Sequence, residues 1–216
     1  MTRIRADFAS PAIVTAEAQQ WVASPESGVE RVMLDRVGDE VAVATSIVRY
    51  APGSRFAAHR HERGEEFYVL DGVFADEHAR YARGSYVRNP PGSAHSPRSD
   101  EGCLLFVKLR QFAPNDRVHI AIDTTRTPSA NGVVEVRRLH RFGAEEVFVI
   151  DGATGRDIAF EAAAVPRECF VIDGTIDIGE TRLTRLGWMR VPAARALAIR
   201  FATAGRILVK TRPVLE

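Results

Sequence analysis

His59 and His61 stand one residue apart, Glu65 follows them closely, and a third histidine, His95, comes later in the chain. On an extended strand, residues two apart point to one face, so His59 and His61 project together while Arg60 projects the other way. Glu65 follows a turn at Gly64, and Glu66 next to it would take the ligand role only if that turn bulged. A fourth donor has to come from a distant segment, and His95, just past the Pro90-Pro91-Gly92 turn, supplies one. Three imidazoles and one carboxylate suit a borderline divalent metal: zinc, iron(II), manganese, nickel or copper. They do not suit calcium or magnesium, which prefer cages of oxygen. The plain alternative is a polar patch on a sheet edge.

Short alternating apolar runs broken by glycine and proline must position these residues. Residues 41–50, 65–72, 84–92 and 103–112 read as strands, and 145–152, 168–174, 185–192 and 206–213 repeat the habit. Only 15–23 and 159–165 have a helical composition. The pattern is that of an all-β sandwich or barrel. The two halves also align. Glu66 matches Glu168, Gly72 matches Gly174, Gly84 matches Gly187, Pro90 matches Pro192 and Lys108 matches Lys210. A period of about a hundred residues is the length of a domain, not of a solenoid unit. The expected organisation is an N-terminal extension (1–28), a metal-binding domain (29–112), a linker that includes a strand (113–132) and a second domain (133–216).

The chain has 216 residues, 45% hydrophobic and 26% charged, with a formal net charge of +1. That balance fits a globular domain with a buried core and gives no footprint for nucleic acid or a membrane surface. No apolar run approaches the ~18 residues of a membrane span, and the N-terminus lacks the apolar stretch of a signal peptide. The two distant cysteines, Cys103 and Cys169, make no disulfide framework and are expected as buried structural thiols in a cytoplasmic setting.

These residues resemble the two motifs of the cupin superfamily. The first, G-x5-H-x-H-x3,4-E-x6-G, reads here as Gly53, His59, His61, Glu65 and Gly72. The second, G-x5-P-x-G-x2-H-x3-N, reads as Gly84, Pro90, Gly92 and His95, with Ser99 in place of the asparagine. Two gapped motifs with every ligand spacing met weigh against the polar-patch alternative. The phrases GVFADEH and GSYVRNPPGSAH are more narrowly similar to the cupin-like domain of ChrR-type anti-sigma factors, strongly over 29–112. The resemblance implies two tandem cupin barrels, each a double-stranded β-helix or jelly roll. It also implies one divalent transition metal per chain on the positions matching His59, His61, Glu65 and His95, with zinc first and iron(II) as the alternative. In the repeat alignment those positions fall on Glu161, Ala163, Arg167 and near Leu197, so the second barrel is expected to be degenerate. The His-x3-Cys-x2-Cys motif by which that family grips a sigma factor is not found before residue 29, which holds no histidine or cysteine.

Two functions follow as expectations. One is a sensing or regulatory module that binds a small ligand or a protein partner. The other is an iron(II) dioxygenase acting on small diketone or phenolic compounds. A homodimer is expected by analogy with other cupins. Phe56, Phe67, Val69 and Phe106 are expected to wall the pocket, and Arg49 and Arg88 to be surface ion-pair partners. His78, His119 and His140 are expected to be solvated rather than ligating.

Overall fold

The computed structural model describes residues 1–125 and 133–212. Every regular element among them is a strand. Neither stretch of helical composition forms a helix. Residues 15–23 make turns before the strand Val22–Ala23, and 159–165 begins inside the strand Asp157–Phe160, where pairing with Leu197–Phe201 outweighs a weak local preference. The chain folds into two compact units. One comprises Met1–Ala6 and Gln20–Thr127, the other Asp7–Gln19 and Pro128–Glu216. The first 28 residues are therefore shared between the units. Among the described residues, no helix is long and apolar enough to cross a membrane.

In the first unit the main sheet runs Arg3–Ile4, Val29–Val37, Val43–Tyr50, Cys103–Leu109, Glu65–Ala75, Ser85–Asn89 and Ile120–Asp123 in spatial order. All of these neighbours are antiparallel. The short strands His59–Arg60 and Ala94–His95 pair separately, with His95 opposite His59. The sheets stay open rather than joining in one hydrogen-bonded ring. Alternate residues point inward, so Phe67, Val69, Val87, Leu105 and Val107 share a buried cluster with Val29, Tyr50 and Phe74. Phe106 lies between two of these inward residues. It therefore faces the other side with Tyr68 and Ile47, and is not a wall of the interior.

The Glu65–Ala75 strand runs past Gly72, where the sequence pattern ends. Its first part pairs with Ser85–Asn89 and Cys103–Leu109, its end with Arg80–Ala82 and Arg98. The change of partner needs a bulge, seen as the register shift at Leu104/Leu105, and Gly72 at φ 69° accommodates the bend. A β-carbon there would run into the Gly102 carbonyl oxygen. The expected linker strand is Ile120–Asp123, which covers the edge of Ser85–Asn89; the linker's Pro128, Asn131 and Gly132 lie outside the described residues.

The second unit repeats this plan. Its larger sheet runs Val134–Phe142, Glu145–Gly152, Gly205–Thr211, Arg167–Asp173, Trp188–Val191 and Ala12–Val14. The smaller sheet runs Asp157–Phe160, Leu197–Phe201, Thr175–Ile178 and Thr181–Thr184. Ala12–Val14 covers the edge of Trp188–Val191 as Ile120–Asp123 covers that of Ser85–Asn89. The repeated charges form the same cross-strand row in both units. Glu66 lies opposite both Arg88 and Lys108, and Glu168 lies opposite both Arg190 and Lys210. All six are buried. Arg88 is thus a buried ion-pair partner and not a surface one, bonded to Glu66 and, at 2.7 Å, to Asp116, with its guanidinium over the Phe112 ring. Such pairs add little net stability, but a one-residue slip of either strand would bury an unpaired charge, so they fix register.

Candidate metal centre

His59 leaves the short strand His59–Arg60, His61 follows it, and Glu65 opens the long strand after a turn in which Gly64 has φ 76°. The Pro90-Pro91-Gly92 turn is tied to that segment. The Gly92 N–H donates to the His61 carbonyl at 2.8 Å, and the His61 N–H donates to the Ser93 carbonyl at 2.9 Å. The two motifs are thereby held together through backbone, and His95 arrives beside its partners. Ser99, where the second motif would end in asparagine, is buried and donates to the Val73 carbonyl at 2.6 Å. It ties the strand Arg98–Ser99 to the strand Glu65–Ala75.

The three imidazoles converge. Their ring centroids lie 4.7 to 5.1 Å apart and each offers a nitrogen within 4.8 Å of the others. His61 Nε2 and His95 Nε2 are 2.9 Å apart, and Glu65 Oε2 is 3.4 Å from each. All four expected residues are brought to one place. His61 and His95 are buried and His59 is exposed, so the group is open on one side. Two of the rings are oriented from behind. His95 Nδ1 faces Asp76 Oδ2 at 3.2 Å, and His59 Nδ1 faces the Ala57 carbonyl at 3.0 Å. A neutral ring that donates from Nδ1 carries its lone pair on Nε2, the atom turned inward.

Burial, reinforced by His59, lowers the pKa of His61 to about 4. Burial also lowers that of His95, against the opposing pull of Glu65. Both rings are held in the neutral form that coordinates metal. Burial raises the Glu65 pKa while His95 and His59 oppose the rise; a cation would favour its ionised form. Three inward nitrogens and one carboxylate oxygen, with ring orientation set from outside, fit a borderline divalent transition ion.

Glu66 points away, into the buried row with Arg88, and is not a ligand. His78 and His119 are exposed and stand apart from the site. His140 is not solvated; it is buried within the strand Val134–Phe142. Arg49 is a surface pair, 3.3 Å from Glu30. Both cysteines are buried, and burial pushes the Cys103 thiol up to about 11 and the Cys169 thiol to about 12, which makes them poor nucleophiles. Two residues near the site carry no signal in the sequence. Asp76 lies between the motifs at no diagnostic spacing, and Phe74, 6.0 Å from the His95 ring, reaches it only because the strand bends at Gly72.

In the second unit the same positions hold no ligands. The pair matching His59 and His95 in cross-strand register is Phe160 and Leu197, so the sequence alignment of His59 with Glu161 is off by one. Arg167 takes the place of Glu65, opposite Val191 as Glu65 is opposite Asn89. Its guanidinium lies 4.9 Å above the Phe160 ring and donates to the Glu161 carbonyl. An apolar cluster that includes Ile150, Val171, Leu197, Phe201 and Ile207 fills the interior.

The fold is that of two tandem cupin domains, the first of which carries this candidate metal centre. Residues 9–113 match the family model of the ChrR cupin-like domain. Solved structures of similar fold share little sequence with it. Bacterial pirin YhhW from Escherichia coli, solved with nickel(II), has a TM-score of 0.72 at 13% identity over 95% of this chain and 100% of its own. A protein from Nostoc punctiforme proposed to be a dioxygenase has a TM-score of 0.70 at 14% identity, covering 99% of this chain and 83% of its own. An oxalate decarboxylase mutant from Bacillus subtilis has a TM-score of 0.65 at 11% identity, covering 94% and 77%. No curated protein matched the sequence.

Proposed function

We propose that the protein is a metal-dependent small-ligand-binding bicupin. One divalent transition ion, zinc first, is held by His59, His61, His95 and Glu65 in the first unit and presented to a ligand there. The observation that carries this reading is the meeting of His61 Nε2 and His95 Nε2 at 2.9 Å with Glu65 beside both. Neutral imidazoles brought that close with no cation between them give up hydration for a single weak hydrogen bond, and a shared metal resolves this. The cavity that opens onto the site, about 450 Å³, is large enough for a small organic molecule. The match to the ChrR cupin-like domain supports a regulatory use of that binding.

A second reading is an iron(II) dioxygenase. The exposed face of His59 favours it, since oxygen chemistry needs coordination positions that protein does not fill. Metal analysis of protein purified without added metal tests the first statement and separates the two uses. One equivalent of a divalent transition metal per chain is expected, lost in His59→Ala and His95→Ala but not in a variant of exposed His119. Wild-type protein that takes up no metal when reloaded would overturn the reading. Oxygen uptake by anaerobically iron-loaded protein with diketones or hydroxylated acetophenones would select the enzyme, and stoichiometric zinc without turnover the binding module.

A further inference from the structure

The cavity of the first unit has His59, His61 and Glu65 in its wall together with four arginines, Arg60, Arg110 and the pair Arg31 and Arg36. Both members of that pair come from the strand Val29–Val37. Five residues apart, they would ordinarily face opposite sides of a sheet. A bulge between Met33 and Asp35 adds one residue to this strand and returns Arg36 to the side of Arg31. The register shows which side that is. Arg36 is opposite Ala44, Ala44 opposite Leu109 and Leu109 opposite Glu65. Arg31 is opposite Val48, Val48 opposite Leu105 and Leu105 opposite Val69. Directly opposed residues share a face. Both guanidiniums therefore belong to the inner face that carries Glu65.

Neither arginine makes a close ion pair among the described residues, although the charges of Glu40 and Asp39 act on Arg36 beside that of Arg31. Arg36 is 5% exposed, and its Nε and Nη2 donate to the carbonyls of Gly38 and Asp39. Arg31 makes no side-chain hydrogen bond or ion pair among the described residues, and its Nε is buried with nothing to donate to. The acids in the cavity wall are Glu26, Glu40, Glu62 and Glu65. The first three are exposed, and Glu62 is taken up by Arg110 at 2.9 Å. Two neighbouring cations in a largely apolar cavity, one with an orphaned N–H, are costly unless an anion completes them. A guanidinium fork matches a carboxylate in shape and charge.

We propose that Arg31 and Arg36 form a carboxylate subsite, so that the ligand of this cavity is a small organic acid whose carboxylate lies on the arginines while a second oxygen group reaches the metal. The inference rests on the reading of His59, His61, His95 and Glu65 as a metal centre, but the arginines can be tested apart from it. The probes are oxalate, malonate and succinate, titrated calorimetrically into metal-loaded and metal-free protein, with inorganic phosphate as the competing anion. At least one diacid is expected to bind. Arg31→Gln is expected to weaken that binding about tenfold or more, the loss of one charge-assisted hydrogen bond, and Arg31→Lys by less. Metal content in both variants is expected to equal that of the wild type. Because the Arg31 side chain bonds to nothing among the described residues, its replacement leaves the fold supported, which circular dichroism checks. Absence of diacid binding to wild type, equal binding by Arg31→Gln, or a preference for phosphate would each overturn the proposal. Wild type that takes up no metal yet binds a diacid in an Arg31-dependent way would overturn the metal reading and leave the subsite standing.

Discussion

The carboxylate of Asp76 stands behind His95 rather than in the ligand group. One oxygen faces His95 Nδ1 at 3.2 Å, and the other accepts from the backbone N–H groups of His78 and Ala79 at 2.8 and 2.9 Å. The loop thus fixes the carboxylate, and the carboxylate fixes the ring. Tyr81 borders the same acid; burial and the Asp76 charge push its hydroxyl up to about 12, so it stays a neutral neighbour. A negative charge behind an imidazole raises its basicity at the inward nitrogen. Asp76→Asn keeps the shape and the backbone contacts but removes the charge. It is expected to weaken metal affinity by about 10–100-fold, measured by competition with a chelator of known strength. Affinity equal to wild type would show that Asp76 only shapes the loop. The four candidate ligand positions are legible in the sequence because motif spacing is a one-dimensional record of which strands turn where. Asp76 is not, because its distance from His95 along the chain depends on loop length, which carries no pattern. Arg88 misleads for a related reason: an arginine on an alternating strand reads as solvent-facing until the covering residues, here Phe112 and Asp116, are known.

The strand Glu65–Ala75 does two jobs, and the bend at Gly72 separates them. Its start carries Glu65 into the ligand group, and its end delivers Phe74 and, one residue on, Asp76 to the far side of His95. Gly174, its match in the second unit, has φ 80° and likewise a close backbone neighbour in Ala204. An alanine at 72 would suffer the left-handed backbone cost of about 1–2 kcal/mol and a clash of about 1–3 kcal/mol against Gly102. Gly72→Ala is therefore expected to destabilise the first unit by about 2–5 kcal/mol, read as a lower urea midpoint at unchanged slope. It should also weaken metal binding, since the bend aims Asp76. A loss of less than about 1 kcal/mol would mean that the bend tolerates a side chain. Most strands are visible from alternation, and Glu145–Gly152 begins and ends where the pattern does. The strand Glu65–Ala75 reads too short in the sequence because a glycine after an apolar run signals a turn. Only the sheet partners on either side, absent from a local pattern, turn that signal into a bulge.

At the scale of the whole chain, one plan has been used twice and the two copies have diverged in the interior. The charged rows Lys108–Glu66–Arg88 and Lys210–Glu168–Arg190 are kept, as are the glycine bends. Duplication is legible because those charges and glycines recur in order. The ligand ladder has instead become Phe160, Leu197 and an arginine lying over a ring. An apolar plug stabilises its unit unconditionally, at roughly 1.5–3 kcal/mol for each buried large side chain. A ligand group leaves its unit dependent on what it binds. Metal should then protect one half of the chain only. Binding to the native state adds RT ln(1 + [L]/Kd), about 2.7 kcal/mol at a hundredfold excess over Kd, to the opening free energy of the segments that surround the site. In hydrogen exchange with and without zinc, amides of 59–61, 65–76 and 93–95 are expected to slow by about a hundredfold under those conditions. Amides of 157–160, 167–173 and 197–201 are expected to exchange at the same rate in both. Equal slowing in the two sets would mean that the second unit also responds to metal, and no slowing in the first set would place the ion elsewhere.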